Sequence, residues 1–326
     1  MISYHNSYRT ILIILIVTAG LTSCASKTRN ALPEQYSSSA EIVGMPQVRD
    51  WGRDKSEYFQ KDFEESIRQH INTMPEGYKI EDVVFNILAI SGGGSNGAFG
   101  VGLINGWEAS GTRPVFTLVT GISTGALIAP FAFLGGEYDQ EIGRLYTSVN
   151  SDDIFKRKSF TGILGSLAGS TDSLADSKPL ADLLEQYVDE RMLKEIAKAH
   201  SEGRRLFIGT TNLDARKLTV WNMGAIAASG HPNALNLFRS IVLASASMPV
   251  AFPAVYIKVE AEGQTYDEMH VDGGVLTGVF FYGNILDLDK GFDEIGIKNK
   301  PEFRIFIIRN NQIETQYEEV ELDVLS

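Results

Sequence analysis

The apolar residues of this chain change their spacing several times, and each change marks an element. Residues 53 to 73 are polar overall, but Phe63, Ile67 and Ile71 recur four apart, with Tyr58 and Phe59 ahead of them, which predicts an amphipathic helix. From Val83 to Ser91 the chain is almost continuously apolar, interrupted by Asn86, as expected of a strand covered on both faces in a parallel sheet. Gly97 to Ala109 then reads as a crossover helix, Val115 to Thr120 as a second strand and Thr124 to Leu134 as a second helix. Residues 139 to 180 are irregular. Pro179 to His200 carries Leu180, Leu183, Leu184, Tyr187 and Val188 on one stripe and predicts a single helix. Leu206–Leu213 and Leu218–Trp221 read as strands, Ala234–Ala246 as a helix ending near Pro249, and Met269–Asp272 and Phe303–Ile308 as further strands. The βαβ pattern predicts an α/β domain from about residue 80 onward.

The ends of the chain read differently. Arg9 precedes the apolar run Ile11–Val17, which falls short of the roughly 20 residues a bilayer span needs and suits the apolar region of a signal peptide. Leu21-Thr22-Ser23-Cys24 resembles a bacterial lipobox, which implies a signal peptide over 1–23 and a lipidated Cys24. Cys24 is the only cysteine, so no intramolecular disulfide can form. Ala25 after it, by the same resemblance, favours the outer membrane, facing periplasm or surface. Residues 24–52, with Ser37-Ser38-Ser39, Pro33 and Pro46, are expected to be a tether; 53–80 a helical extension; 81–326 the catalytic domain. Glu314 to Ser326 forms an acidic tail.

Composition narrows the choice. With 44% hydrophobic residues in 326, the chain can build a full core. A formal net charge of −12 disfavours nucleic acid as a partner, because phosphate binding needs a basic face. No cluster of ligand-type residues points to a metal or another cofactor; Asp152-Asp153 reads as an exposed acidic pair. Lys156-Arg157-Lys158, followed by Phe160 and Ile163-Leu164, is a candidate contact with anionic lipid, and 150–178 a candidate lid.

Three turns carry chemistry. Gly121-Ile122-Ser123-Thr124-Gly125 sits between strand and helix, the setting in which a Ser is lifted clear of a sheet and a helix N-terminus faces developing negative charge. Gly92-Gly93-Gly94-Ser95-Asn96-Gly97 also follows a strand and precedes a helix. It matches the dinucleotide fingerprint, but no acid ends the next strand to hold a ribose, and no Lys follows Gly97 to make a phosphate-cradling loop. The remaining use is an oxyanion site built from the amides of Gly93 and Gly94. Asp272-Gly273-Gly274 ends a later strand and supplies a candidate base for Ser123. His270 shares the face of Asp272 if both lie on a strand, whereas His5, His70, His200 and His231 offer no Ser–Asp–His order.

These three motifs, in this order over about residues 83 to 280, resemble the patatin-like phospholipase family. Lys178-Pro179-Leu180 and the run Ala244–Pro253 are similar to further family segments. The resemblance implies a three-layer α/β/α fold with a mostly parallel central sheet and a Ser–Asp dyad. Ser123 would be the nucleophile, Asp272 its base, and Gly92, Gly93 and Gly94 the oxyanion site; Gly97, Gly121, Gly125, Gly273 and Gly274 would support the motifs. The implied activity is a serine lipid acyl hydrolase acting on phospholipid or another acyl ester, held to the membrane through Cys24. An acyltransferase on the same site, or a non-catalytic lipid-binding lipoprotein, are the alternatives. Where the family loop usually carries Arg or Lys, this chain has Asn96, which keeps hydrogen bonding and loses the charge.

Overall fold

The computed structural model describes residues 29–148, 176–281, 283 and 286–312. The signal segment, Cys24, Asp152-Asp153, the Lys156–Lys158 run, most of the 150–178 candidate lid and the acidic tail lie outside the described residues.

Among them are nine strands: β1 (Glu41–Ile42), β2 (Arg49–Trp51), β3 (Val84–Ile90), β4 (Leu118–Ile122), β5 (Arg205–Asn212), β6 (Lys217–Asn222), β7 (Val255–Ala261), β8 (Gln264–Asp272) and β9 (Glu302–Ile308). The helices are α1 (Glu57–Thr73), α2 (Gly97–Ala109), α3 (Thr124–Leu134), α4 (Glu137–Ser148), α5 (Lys178–Tyr187), α6 (Glu190–Ser201), α7 (Met223–Ala228), α8 (Ala234–Ser245) and α9 (Leu288–Glu294). The strands form one mixed sheet. β9, β3, β4 and β5 are parallel neighbours, with β9 at the end of the sheet, and β6, β7 and β8 join antiparallel.

Alternation along the central strands divides the interior into two apolar layers. Phe85 and Ile87 of β3, Leu118 and Ile122 of β4 and Phe207 of β5 face one way, toward Phe59, Phe63 and Ile67 of α1 and Phe292 of α9. Leu88 and Ile90, Val119, and Leu206 and Ile208 face the other way, toward α2, α3, α4, α6 and α8. Helices therefore cover both faces, and the fold is three layers, α/β/α. Phe59 meets Phe207 edge-on at 5.4 Å, so α1 is part of the domain's own layer rather than an extension.

Two expectations need correction, and one expected strand is longer than its apolar run. Residues 29–52 do not hang free. Ala40, Ile42, Met45 and Val48 are buried, β1 pairs with β7, and β2 pairs with β6. Pro33, Pro46 and the serines break periodicity without preventing extended edge strands. The stripe from Pro179 to His200 is two helices. Asp189 has extended backbone and accepts from the Met192 amide at 2.8 Å, starting α6 afresh. The strand ending at Asp272 is the second arm of a hairpin, β7–β8, turned at Glu262-Gly263. No helix among the described residues is long and apolar enough to cross a membrane.

Candidate active site

The site lies where the sheet's regular pairing stops. β6 occupies one edge of β5 throughout Phe207–Asn212. The opposite edge is shared: β4 pairs with Arg205–Gly209 and β8 with Thr210–Asn212. β4 runs parallel to β5 and β8 antiparallel, so their C-terminal tips meet head to head. Ile122 stands opposite Gly209, and Asp272 opposite Thr210. The residue after Ile122 is Ser123, which is thereby delivered to Asp272.

Ser123 Oγ donates to Asp272 Oδ2 at 2.6 Å. Both residues are buried. The Ser123 backbone sits at φ 57°, ψ −126°, a strained conformation that costs about 1–3 kcal/mol and survives only where neighbours enforce it. The glycines around it provide the room. A Cβ on Gly121 would lie 2.4 Å from the Gly125 carbonyl oxygen, and one on Gly125 2.3 Å from that of Ile90. A Cβ on Gly92 would lie 2.9 Å from that of Ser123. One on Gly97 would strike Thr124 Oγ1, and one on Gly273 would come within 2.6 Å of the Gly209 carbonyl oxygen. The motif glycines are thus contact points between the turns.

Asp272 Oδ1 accepts from the Gly274 amide at 2.6 Å. Burial raises the Asp272 pKa above the ordinary carboxylate range, against the lowering effect of the Ser123 and Gly274 hydrogen bonds. The base is stronger than an exposed Asp for that reason.

The glycine-rich loop needs one correction. The Gly92 amide is taken by the Gly278 carbonyl at 3.0 Å, so Gly92 contributes close approach to Ser123 and no free donor. The amides of Gly93 and Gly94 have no partner among the described residues. Gly94 adopts φ 55° and lines the cavity beside Ser123. Asn96 is exposed. The loop is braced by Asn310, just beyond β9, a residue the sequence did not single out. Its amide donates to Ser91 Oγ at 2.9 Å and its side chain to the Ser91 carbonyl at 2.8 Å, and a Cβ on Gly93 would meet its own Cβ at 2.6 Å.

Ser245, at the end of α8, was also missed as an individual. Its Oγ accepts from the Ser123 amide at 3.0 Å and donates to the Gly209 carbonyl at 2.7 Å. Two residues on, the Ser247 carbonyl accepts from the Asp272 amide at 2.9 Å.

His270 is not placed for proton relay. It is fully buried, Nδ1 contacts Thr210 Oγ1 at 2.9 Å and Nε2 contacts Glu268 Oε2 at 3.1 Å. Burial lowers its pKa, against the opposing pull of Glu268. Glu268 in turn forms a two-pronged pair with Arg49. The remaining described histidines do not contact the Ser123–Asp272 pair.

Ser123 opens onto a cavity of about 200 Å³ between α3, α4 and α5. Its walls are mainly apolar and include Leu127, Phe131, Leu184, Val188 and Phe252. Tyr146 contributes a phenol that is hydrogen-bonded to Thr124 Oγ1 at 2.7 Å. A hydroxyl on a carboxylate, two amides without a partner among the described residues and an apolar slot together suit attack on the carbonyl of an acyl ester.

A family model described as patatin-like phospholipase matches residues 88–282. This chain belongs to that family. The matched span runs from the last residues of β3 to the loop beyond Asp272, and so includes all three turns at the site. Among solved structures, VipD from Legionella pneumophila is similar, at 14% identity and a TM-score of 0.38. The match covers 66% of this chain and 54% of VipD, so this patatin-like chain aligns with only about half of VipD's length. No curated protein matches the sequence.

Proposed function

We propose that this protein is a serine lipid acyl hydrolase of phospholipase A or lysophospholipase type, working through a Ser123–Asp272 dyad and an acyl-enzyme. The observation that carries the reading is the 2.6 Å hydrogen bond from Ser123 to a buried carboxylate at the mouth of an apolar cavity. Asp272 accepts the hydroxyl proton as Ser123 Oγ attacks the ester carbonyl. The Gly93 and Gly94 amides stabilise the oxyanion, aided by the N-terminus of α3. The C–O bond to the leaving alcohol then breaks, and Asp272 returns the proton to that alcohol. Water repeats the cycle on the acyl-enzyme and releases the fatty acid. Burial of the acyl chain contributes about 0.8 kcal/mol per methylene.

The lipobox-like Leu21–Cys24 supports a second part of the proposal: Cys24 is lipidated and the protein works at the cell envelope. Radiolabelled palmitate incorporated by the wild type and lost in Cys24→Ala would bear this out; equal labelling of both would refute it.

The test of the activity is hydrolysis of a panel of phospholipids, lysophospholipids and neutral esters by the purified protein, with a fluorophosphonate probe alongside. Wild-type turnover and labelling, both absent in Ser123→Ala, are expected. Absence of both from the wild type across the pH range would defeat the reading. Adding an acceptor alcohol separates transfer from hydrolysis by its product.

A further inference from the structure

At the end of β4 the ladder with β5 loses its next rung. Ser123, turned to positive φ, cannot place its amide on β5 as a strand residue would, and Gly209 is the last β5 residue paired with β4. Both main-chain groups are buried at this seam, and each needs a partner. Ser245 Oγ serves both, accepting from Ser123 N–H and donating to Gly209 C=O. Its side chain is fully buried, and its two observed hydrogen bonds leave one acceptor lone pair. Gly209 O lies close against Gly273, the residue after Asp272. The Ser247 carbonyl, on the same turn, holds the Asp272 amide. One short segment at the end of α8 therefore grips the backbone of both Ser123 and Asp272.

We propose that Ser245 is a positioning residue for this reaction: its hydroxyl stands in for the missing rung and holds the strained Ser123 backbone in register with Asp272. The inference rests on the hydrolase reading given above, and it deepens that reading by naming what fixes the dyad. Without the hydroxyl, the Ser123 amide and Gly209 carbonyl are left unpaired. The elbow then relaxes and the Ser123–Asp272 hydrogen bond lengthens.

That hydrogen bond favours ionised Asp272, with the Gly274 amide, against burial. The nearest titratable group on β8, His270, is engaged by Thr210 and Glu268. Weakening the bond should therefore move the rising limb of the pH–rate profile to higher pH. A variant that is only less stable loses folded enzyme and keeps the limb where it was.

The experiment compares full-length wild type, Ser245→Ala, Ser245→Thr and Val242→Ala in ester hydrolysis and in the rate of fluorophosphonate labelling, both across pH. Val242 is a fully buried apolar residue on the same helix, so its truncation reports instability alone. Expected for Ser245→Ala is a fall in kcat of roughly tenfold or more with KM little changed, slower labelling and a limb shifted upward. Ser245→Thr, which keeps the hydroxyl, recovers part of the rate and restores the limb. Val242→Ala lowers Tm and leaves the limb in place. If Ser245→Ala does not accumulate as folded protein, Ser245→Cys, similar in size and weaker in hydrogen bonding, carries the same expectation. An unshifted limb with wild-type kcat per folded molecule, in whichever of these variants folds, overturns the positioning role while leaving the hydrolase reading intact. A wild type that neither turns over nor labels overturns both.

Discussion

Ser123 and Asp272 hydrogen-bond at 2.6 Å across 149 residues of sequence because β4 and β8 end tip to tip on one edge of β5. The carboxyl at that junction is buried, and its raised pKa has two consequences. With Asp272 as the base proposed for Ser123, turnover would need it ionised, so the rate should rise with pH through a limb lying above the usual carboxylate range of about 4. Stability should move the opposite way. The folded state holds the proton more tightly than the unfolded chain, so Asp272 favours folding at low pH. That contribution is lost as pH rises through the folded pKa. Asp272→Asn is expected to cut kcat about 1000-fold or more and to raise Tm at pH 8. Paired rate profiles and thermal melts check this; a Tm that falls at pH 8 would contradict it.

His270 belongs to a buried chain from Arg49 through Glu268 to Thr210, and Trp221 Nε1 donates to the same Thr210 hydroxyl at 2.8 Å. His270→Ala should therefore destabilise the fold by about 2–3 kcal/mol and leave kcat per folded molecule within a few fold. Glu268→Gln leaves Arg49 buried without its counter-charge and should cost about 3–5 kcal/mol. His270 and Arg49 hold the Glu268 pKa down to about 2 despite its burial, so its stabilisation is present above the unfolded value and is lost as pH falls through that region. Denaturant titrations at pH 7, with turnover normalised to folded protein, separate this role from a catalytic one.

Asp139 offers a stability switch away from the site. Its carboxyl is buried, neither oxygen accepts a hydrogen bond from the described residues, and Arg113 Nη2 stands 3.6 Å away. Burial raises its pKa to about 7, against the lowering effect of Arg113. The folded state is favoured below the unfolded value and loses that contribution as pH climbs through about 7. Asp139→Asn should raise Tm at pH 8, by about 2 °C or less per kcal/mol for a chain larger than 250 residues, and flatten the melt's pH dependence between 5 and 8. Differential scanning calorimetry at several pH values reads both.

The cavity wall predicts chain-length preference. Leu127 lies one turn of α3 beyond Ser123 and faces the slot. Leu127→Trp should shorten the optimum acyl chain while sparing acetate and butyrate esters. A series of p-nitrophenyl esters measures it, and a uniform loss across all lengths would argue against this acyl path.

Much of the central architecture was legible because it is local. β3, the glycine-rich loop, α2 and α3 follow from an apolar run, a turn and a helical pattern written consecutively. The site's three motifs were also visible as strand-ending turns, each with its own steric logic. Their meeting was not a local property. It depends on two strands approaching β5 from opposite directions along one edge; the hairpin that brings Asp272 back has a legible first arm, in which Val255, Ile257, Val259 and Ala261 alternate with Tyr256, Lys258 and Glu260, but that alternation does not say which strand β8 joins. Ser245 and Asn310 escaped for the same reason: a serine at a helix end and an asparagine after a strand carry no signal until their distant partners are known. The engagement of the Gly92 amide depends on Gly278, 186 residues away in sequence. Residues 29–52 carry an ambiguous signal, because prolines and serines suit extended edge strands as readily as a loose linker.

The packing of Arg29 and Asn30 bears on how the proposed hydrolase would meet its substrate. Arg29 pairs with Asp214, and the Asn30 carbonyl accepts from the Asp267 amide at 2.7 Å. If Cys24 carries the lipid proposed for it, only five residues lie between it and Asn30, and the chain from Cys24 to that backbone contact can reach at most about 22 Å. A compact domain of roughly 300 residues has a radius of gyration of about 19 Å, so that leash is shorter than such a body is wide. Such a protein would graze the bilayer that holds it and would have little freedom to sample lipid on any facing membrane.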